Sequence, residues 1–278
     1  MKHAYATVFR SIGTLYRLCT LPHLVATLAG IAFPIIASAY LSRGFVAPLP
    51  PLLQFLPLAL AAVQLLCGAI ILSATHRLFL FDDRRPGVLL PLSFDRAQLY
   101  FIAIPIVAAL AWTAFTIAGA VATSLVVGTL FGPSGIAGLV SFLMGLAISA
   151  WLFCRLVSLL PLIVATNRLA IRRAWRESRG HAWRILGVLA AGLLPVAVVF
   201  LAVGYSFIRL VLPAPGTSPE AVRELLSTER ILALSLINAA VTVVIAVPAA
   251  GIFSALLCNC FKALSGYPPD TRFLPPDP

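Results

Sequence analysis

Arginine and tryptophan are concentrated in residues 167–184, here called the arginine loop, which reads NRLAIRRAWRESRGHAWR. Its arginines recur every three or four positions, a spacing that places side chains along one face of a helix, and Gly180 is placed to end that helix. An arginine near an anionic membrane surface contributes about 1 kcal/mol of attraction, and indole rings settle at headgroup depth. The predicted lipid-binding residues are Arg168, Arg172, Arg173, Trp175, Arg176, Arg179, Trp183 and Arg184. The alternative is plain anchoring of the loop on one side of a membrane, with no selective lipid.

Arg155 is a charged residue well inside an apolar stretch. A charge at that depth costs about 2.5–3.5 kcal/mol on insertion scales unless it meets a cavity, a partner or the membrane surface. The predicted spans contain no Asp or Glu, so the expected partners are other oxygen-bearing groups: carbonyls near Pro161, the side chains of Gln64 and Asn238, and the loop acids Asp82 and Asp83. Two interpretations stay open, a structural arginine that snorkels to the surface and a contact with a lipid phosphate or anionic substrate.

Catalysis and metal binding are both disfavoured. General acid–base catalysis needs two positioned titratable groups in a water-excluded site, whereas the adjacent acids Asp82 and Asp83 share a loop with arginines. Cys258 and Cys260 form a CxC pair, but metal sites usually need four ligands and the sequence has no second cluster. We therefore predict no catalytic residue, no metal site and no cofactor.

The composition is typical of a membrane protein. Apolar residues make up 61% of the chain and charged residues 10%, with a mean hydropathy of +1.02, against about 45–50% and about 25% in soluble proteins. Long apolar runs take up most of the 278 residues and leave no room for a second, soluble domain. The net charge of +11 comes from arginine clusters between these runs. Lipid headgroups are therefore the expected counter-charge, and nucleic acid is not.

Six apolar stretches are long enough to cross a hydrocarbon core of about 30 Å, which takes about 20 helical residues. They must be helices, because an open strand leaves backbone groups unpaired in lipid. The predicted fold is all-α, a polytopic transmembrane helical bundle with about six spanning helices plus short interfacial amphipathic helices. The predicted spans are Leu24–Leu41, Leu52–Ala74, Tyr100–Val127, Ile136–Val164, Ile185–Leu212 and Ile231–Leu257. Each contains a proline, which predicts kinks or local unwinding: Pro34, Pro57, Pro105, Pro161, Pro195 and Pro248.

The predicted spans divide the chain into three segments. Residues 1–23 carry an apolar stripe at helical spacing and are predicted to form an amphipathic helix in the interface plane. Two alternatives stay open for this region, a cytoplasmic extension of the first span packed on its neighbours, and a signal peptide that is cleaved near Ala39. Residues 24–257 form the predicted six-helix transmembrane domain, and residues 258–278 form a cytoplasmic tail that is partly disordered.

The distribution of positive charge predicts the orientation. Lys and Arg are retained on the cytoplasmic side of a membrane. Most of them lie on the side that holds both predicted termini and the arginine loop, whereas the other side holds Arg43, Arg209, Arg223 and Arg230. Cytoplasmic N and C termini are therefore predicted.

Small residues recur every four positions in the third and fourth predicted spans, from Thr116 to Gly128 and from Ala137 to Ser149. Such stripes let helix backbones approach closely. They predict either that these two spans pack as an antiparallel pair or that the protein forms a homo-oligomer, and the sequence does not separate the two.

The order of residues around the arginine loop resembles that of a protein family. Arg155 is followed by Ser158-Leu159-Leu160-Pro161, Ala174-Trp175, Ser178-Arg179-Gly180 and Trp183-Arg184-Ile185-Leu186-Gly187. This order resembles a broad group of uncharacterised bacterial membrane proteins, related to the membrane-anchoring domain found beside glycerophosphodiester phosphodiesterases. The run Cys260-Phe261-Lys262-Ala263-Leu264-Ser265-Gly266 is similar to the usual ending of that group, with Phe261 where Tyr is expected. The resemblance implies a helical bundle in a bacterial inner membrane and supplies no activity.

Two functions are compatible with these patterns. The first is a non-catalytic inner-membrane protein that engages anionic lipid or a partner membrane protein through the arginine loop. The second is a small transporter or lipid-moving protein whose path uses Arg155 and the proline-containing helices, although the absence of acids from the predicted spans disfavours proton coupling. A continuous polar cavity at Arg155 would favour transport, and a tightly filled bundle would favour the first function.

Overall fold

The computed structural model of the protein describes residues 2–42, 51–83, 96–107, 135–211 and 228–266. All regular structure in these ranges is helical, which confirms the predicted all-α class for this part of the chain. The helices are α1 (Lys2–Arg10), α2 (Ile12–Ser42), α3 (Pro51–Phe81), α4 (Arg96–Val107), α5 (Gly135–Arg155), α6 (Leu159–Thr166), α7 (Ile171–Glu177), α8 (Ala182–Val211) and α9 (Thr228–Leu264).

Five helical stretches in the described ranges are long and apolar enough to cross a membrane. They are Ile12–Ala32, Gln54–Phe81, Gly145–Thr166, Ala182–Ser206 and Leu232–Leu264. Each overlaps one predicted span, which supports a multi-pass membrane protein but does not confirm six crossings. The third predicted span, Tyr100–Val127, and the stripe from Thr116 to Gly128 lie mainly or wholly outside the described residues, which include only its first part, in α4.

The first and last segment boundaries differ from those predicted. Helix α2 begins at Ile12 and runs through Pro22, so the predicted boundary at residue 23 falls inside a continuous helix. The polar residues near the N terminus lower the hydropathy there but do not interrupt helical hydrogen bonding. Helix α9 likewise continues beyond Leu257 to Leu264, because Phe261 is buried in a cluster with Leu80 and other residues. The predicted tail beyond residue 266 lies outside the described residues.

The apolar stripe of the N-terminal segment is buried against α9. One cluster joins Val8, Leu15 and Cys19 of α1 and α2 with Val247, Ile252 and Leu256 of α9. Gly251 permits this close approach, because a Cβ at that position would lie 2.7 Å from Cδ1 of Leu15. The stripe therefore contacts protein, which is the arrangement expected of an extension of the first span packed on its neighbours.

Two tyrosine hydroxyls of this segment bond to backbone carbonyls just before prolines. Proline has no amide hydrogen, so Pro248 leaves the carbonyl of Val244, four residues earlier, without its partner in α9. Tyr16 donates its hydroxyl to that carbonyl at 2.8 Å. Tyr5 donates to the carbonyl of Gly192 at 2.6 Å, three residues before the proline of α8. Both helices continue through their prolines, and in α9 the carbonyl that the proline leaves open is satisfied by Tyr16.

Buried polar groups join the C-terminal parts of α3 and α9. The hydroxyls of Thr75 and Ser254 form a hydrogen bond of 2.7 Å. Lys262 is 4% exposed and donates its ammonium to the carbonyl of Phe79 at 3.3 Å. A lysine is favourable there because the last carbonyls of a helix carry partial negative charge. The C-terminal ends of α3 and α9 therefore lie at the same end of the bundle.

The fourth predicted span is not one helix. The chain leaves helical geometry over residues 156–158, between α5 and α6, inside the predicted span Ile136–Val164, where Pro161 predicted a kink or local unwinding. Pro161 explains the break, since it cannot donate to the carbonyl of Val157 and its ring would collide with it. In α6 the same proline lies in the first turn, where no amide hydrogen is required.

We expect Tyr16→Phe to lower the free energy of unfolding by about 0.5–1.5 kcal/mol, because the carbonyl of Val244 loses its hydroxyl donor. Unfolding of the detergent-purified protein, followed by circular dichroism, measures the loss. Tyr100→Phe is the matched control, since its hydroxyl has no hydrogen bond to any described residue.

A double-mutant cycle isolates the interaction. Pro248→Ala restores an amide that can bond to the Val244 carbonyl inside α9, so Tyr16→Phe should cost less in that background. Equal losses with and without the proline would contradict the role assigned to the hydroxyl.

Candidate functional site

The break between α5 and α6 opens the backbone carbonyl of Arg155. In a continuous helix this carbonyl would accept from the amide of Leu159. That amide instead donates to the carbonyl of Leu156 at 2.8 Å. Ser178, which is fully buried at the end of α7, donates its hydroxyl to the Arg155 carbonyl at 2.7 Å. The arginine loop is thereby fixed to the break in the span.

The helix in the arginine loop is shorter than predicted. Helix α7 ends at Glu177, and Gly180 lies beyond it with a φ of +83°, in the turn that leads to α8. Arg168 and Arg179 are therefore outside the helix, and the predicted single stripe of arginines is not formed. Arg172 and Arg176 remain four residues apart on α7, and both side chains are exposed.

The guanidinium of Arg155 contacts two indole rings. Its Cζ is 5.4 Å from the ring centroid of Trp151, one turn earlier on α5, and 5.0 Å from that of Trp175 on α7. The two rings meet edge to face, with centroids 5.5 Å apart and planes at 84°. Cation–π contacts contribute about 0.5–1 kcal/mol at exposed sites and about 2 kcal/mol when desolvated.

The structure thus unites two features that the sequence treated separately. Arg155 and Trp175 form one site with Trp151, which sequence reasoning missed. The available signal was the spacing of four residues between Trp151 and Arg155, which places both on one face of α5. The approach of Trp175 depends on the hydrogen bond of Ser178 and has no local signal.

The predicted partners of Arg155 lie elsewhere. Gln64 donates to the carbonyl of Ala26 at 3.2 Å, and Asp83 pairs with Arg77 at 3.7 Å. Asn238 is half-buried on α9. Within the described part of the chain, Nε and Nη1 of Arg155 are buried and have no hydrogen-bond acceptor. The expectation that one of these groups would accept from the guanidinium is therefore wrong for the described residues.

The acid of the arginine loop is also engaged elsewhere. Glu177 accepts from Nε of Arg173 through Oε1 at 2.8 Å. The other loop arginines are exposed and form no ion pair with an acid among the described residues: Arg168, Arg172, Arg176, Arg179 and Arg184. Trp183 is 78% exposed beside them. The loop therefore presents positive charge and an indole ring without a compensating carboxylate.

Several buried polar atoms near the break lack a partner among the described residues. Besides the two nitrogens of Arg155, they are Oγ of Ser158, Oδ1 of Asn167 and Oε2 of Glu177. An unsatisfied buried polar atom costs about 1–3 kcal/mol, so water or a bound molecule is the expected partner of such atoms.

The chain matches no protein-family model, and it has no significant match among curated proteins or solved structures. The resemblance to the membrane-anchoring domain stays a prediction, and the candidate site stands on its geometry.

We expect Ser178→Ala to release the arginine loop from the break, because the buried carbonyl of Arg155 loses its donor. Amide hydrogen exchange of the detergent-purified protein should become faster in residues 167–181, with a loss of stability of about 1–3 kcal/mol. Ser206→Ala is the control, since Ser206 bonds only to Ala202 of its own helix among the described residues. Unchanged exchange in the loop would show that this hydrogen bond does not hold it.

Proposed function

We propose that this protein is a non-catalytic integral membrane protein that engages anionic lipid headgroups through the arginine loop. The observation that carries the proposal is the exposed set of loop arginines, which has no acidic partner among the described residues and lies directly before the span in α8. Guanidinium groups match phosphate oxygens in a two-pronged geometry. A row of them at a membrane border therefore has the lipid phosphates as its nearest counter-charge.

The position of Trp183 supports lipid as the partner. This residue lies at the start of α8, where the candidate span Ala182–Ser206 begins. Its ring is largely exposed, as the amphipathic indole of a membrane-interface belt is. Arg179 and Arg184 flank it in the sequence and are exposed as well. An indole at headgroup depth would keep both guanidinium groups at the level of the phosphates.

The docking of the loop supports a defined surface. Ser178 fixes the end of α7 to α5, and the ring of Trp175 packs against that of Trp151. A fixed surface loses less conformational freedom on binding than a free loop. The two cation–π contacts of Arg155 also provide it with protein partners that require no transport path.

The proposed location is a bacterial inner membrane with both termini in the cytoplasm. Tyr5 of α1 reaches the first half of α8, and Lys262 of α9 reaches the end of α3. The N-terminal segment, the arginine loop and the C-terminal ends of α3 and α9 therefore share one end of the bundle. Under the positive-inside rule this basic end faces the cytoplasm.

We expect Arg172→Gln/Arg176→Gln to reduce the preference for anionic lipid about 30-fold, because each of the two arginines near a charged surface contributes about 1 kcal/mol. The measurement is the ratio of phosphatidylglycerol to phosphatidylcholine retained by protein purified from mixed micelles. Higher salt should reduce the ratio for the unmodified protein.

The matched control is Arg10→Gln/Arg17→Gln, which removes two exposed arginines from the N-terminal segment. An equal reduction in both variants would show that the loop acts only as general positive charge. No reduction in either variant would contradict lipid engagement and direct the search to a protein partner.

A further inference from the structure

We infer that Arg155 binds the phosphate of one anionic phospholipid, as a discrete site apart from the diffuse attraction of the arginine loop. The inference deepens the proposed function and rests on it in one respect, since it takes lipid as the counter-charge at this end of the bundle. The Arg155 site involves a different residue and a different measurement from the arginine loop. Either the site or the lipid engagement by the loop can therefore fail without the other.

Arg155 has no counter-charge among the described residues. Arg155 is half-buried at the end of α5, in the candidate span Gly145–Thr166. Among the described residues no carboxylate pairs with it, because Glu177 is held by Arg173 and Asp83 by Arg77. A desolvated charge requires an opposite charge or a full set of hydrogen bonds. The missing counter-charge must therefore come from outside the described chain.

N–H groups of the Arg155 guanidinium lack oxygen acceptors among the described residues. The indole rings attract the positive charge of the guanidinium, but a ring face offers no oxygen to its N–H groups. Nε and Nη1 lack acceptors within the described ranges. The indole N–H groups of Trp151 and Trp175 likewise form no hydrogen bond to a described residue. Nη2 is not among the enclosed atoms, so a ligand that supplies oxygens and a negative charge, such as a phosphodiester, can reach the guanidinium there.

An exposed apolar surface beside the guanidinium favours a lipid over free phosphate as the ligand. Leu152 lies three residues before Arg155 on α5 and is 40% exposed. Trp151 is 41% exposed on the same helix. This apolar surface continues from the guanidinium into the span, where acyl chains would cover it. Inorganic phosphate would satisfy the donors and leave that surface uncovered.

The test is native mass spectrometry of the full chain in detergent micelles supplied with phosphatidylglycerol. The unmodified protein should retain one phosphatidylglycerol, and Arg155→Gln should reduce its retention about tenfold, the usual effect of losing a charged hydrogen bond. Arg155→Lys keeps the charge without the forked donors and should retain an intermediate amount. Arg17→Gln, which removes one exposed arginine from the N-terminal segment, should retain the lipid.

Two further arms complete the test. Inorganic phosphate in millimolar excess should not displace the lipid; displacement would assign the site to free phosphate and overturn the inference. Equal retention by the unmodified protein and both Arg155 variants would overturn it as well. If Arg155→Gln does not fold, the lipid retention of Arg155→Lys is measured instead, provided that its thermal midpoint is unchanged. Reduced retention supports the site, and full retention overturns it. A loss in Arg172→Gln/Arg176→Gln alone would support the proposed function and reject the Arg155 site.

Discussion

The hydrogen bond from the Ser178 hydroxyl to the Arg155 carbonyl holds the arginine loop against the break between α5 and α6. It exists because Pro161 prevents α5 from continuing, which removes the normal amide partner of that carbonyl. The bond joins two segments 23 residues apart, brings Trp175 over the guanidinium and leaves the exposed arginines facing outward. A backbone defect in one span is thus the attachment point of the loop to which we assign lipid engagement.

The same physical rule operates at one other place in the bundle. Lipid offers no water to a carbonyl that a proline has left open, so another protein group must bond to it. Tyr16 does so at Val244 in α9. In each case a hydroxyl from a sequentially distant segment satisfies the carbonyl, and the pairing also fixes one helix against another. Prolines that weaken single helices thereby define contacts between them.

Composition and apolar length were sufficient to predict helical spans, since these depend on properties that are local in the sequence. Five of the predicted spans overlap candidate crossings of the described chain. Hydropathy could not locate the start of the first helix, because Arg17 lowers the average without breaking the helix. The surroundings of Arg155 were also out of reach. Trp151 is near it in sequence, but Trp175 arrives through a tertiary contact, and spacing alone cannot indicate such a contact.

The burial of the N-terminal stripe against α9 has a consequence for biosynthesis. Val8 and Leu15 are synthesised well before α9, which holds their packing partners. Until α9 is inserted, Tyr5 can find its acceptor in α8, but Tyr16 must hydrogen-bond to lipid or water. A chain truncated before α9 could still pack α2 against α3, but the stripe that includes Val8 and Leu15 would lose its cover in the membrane.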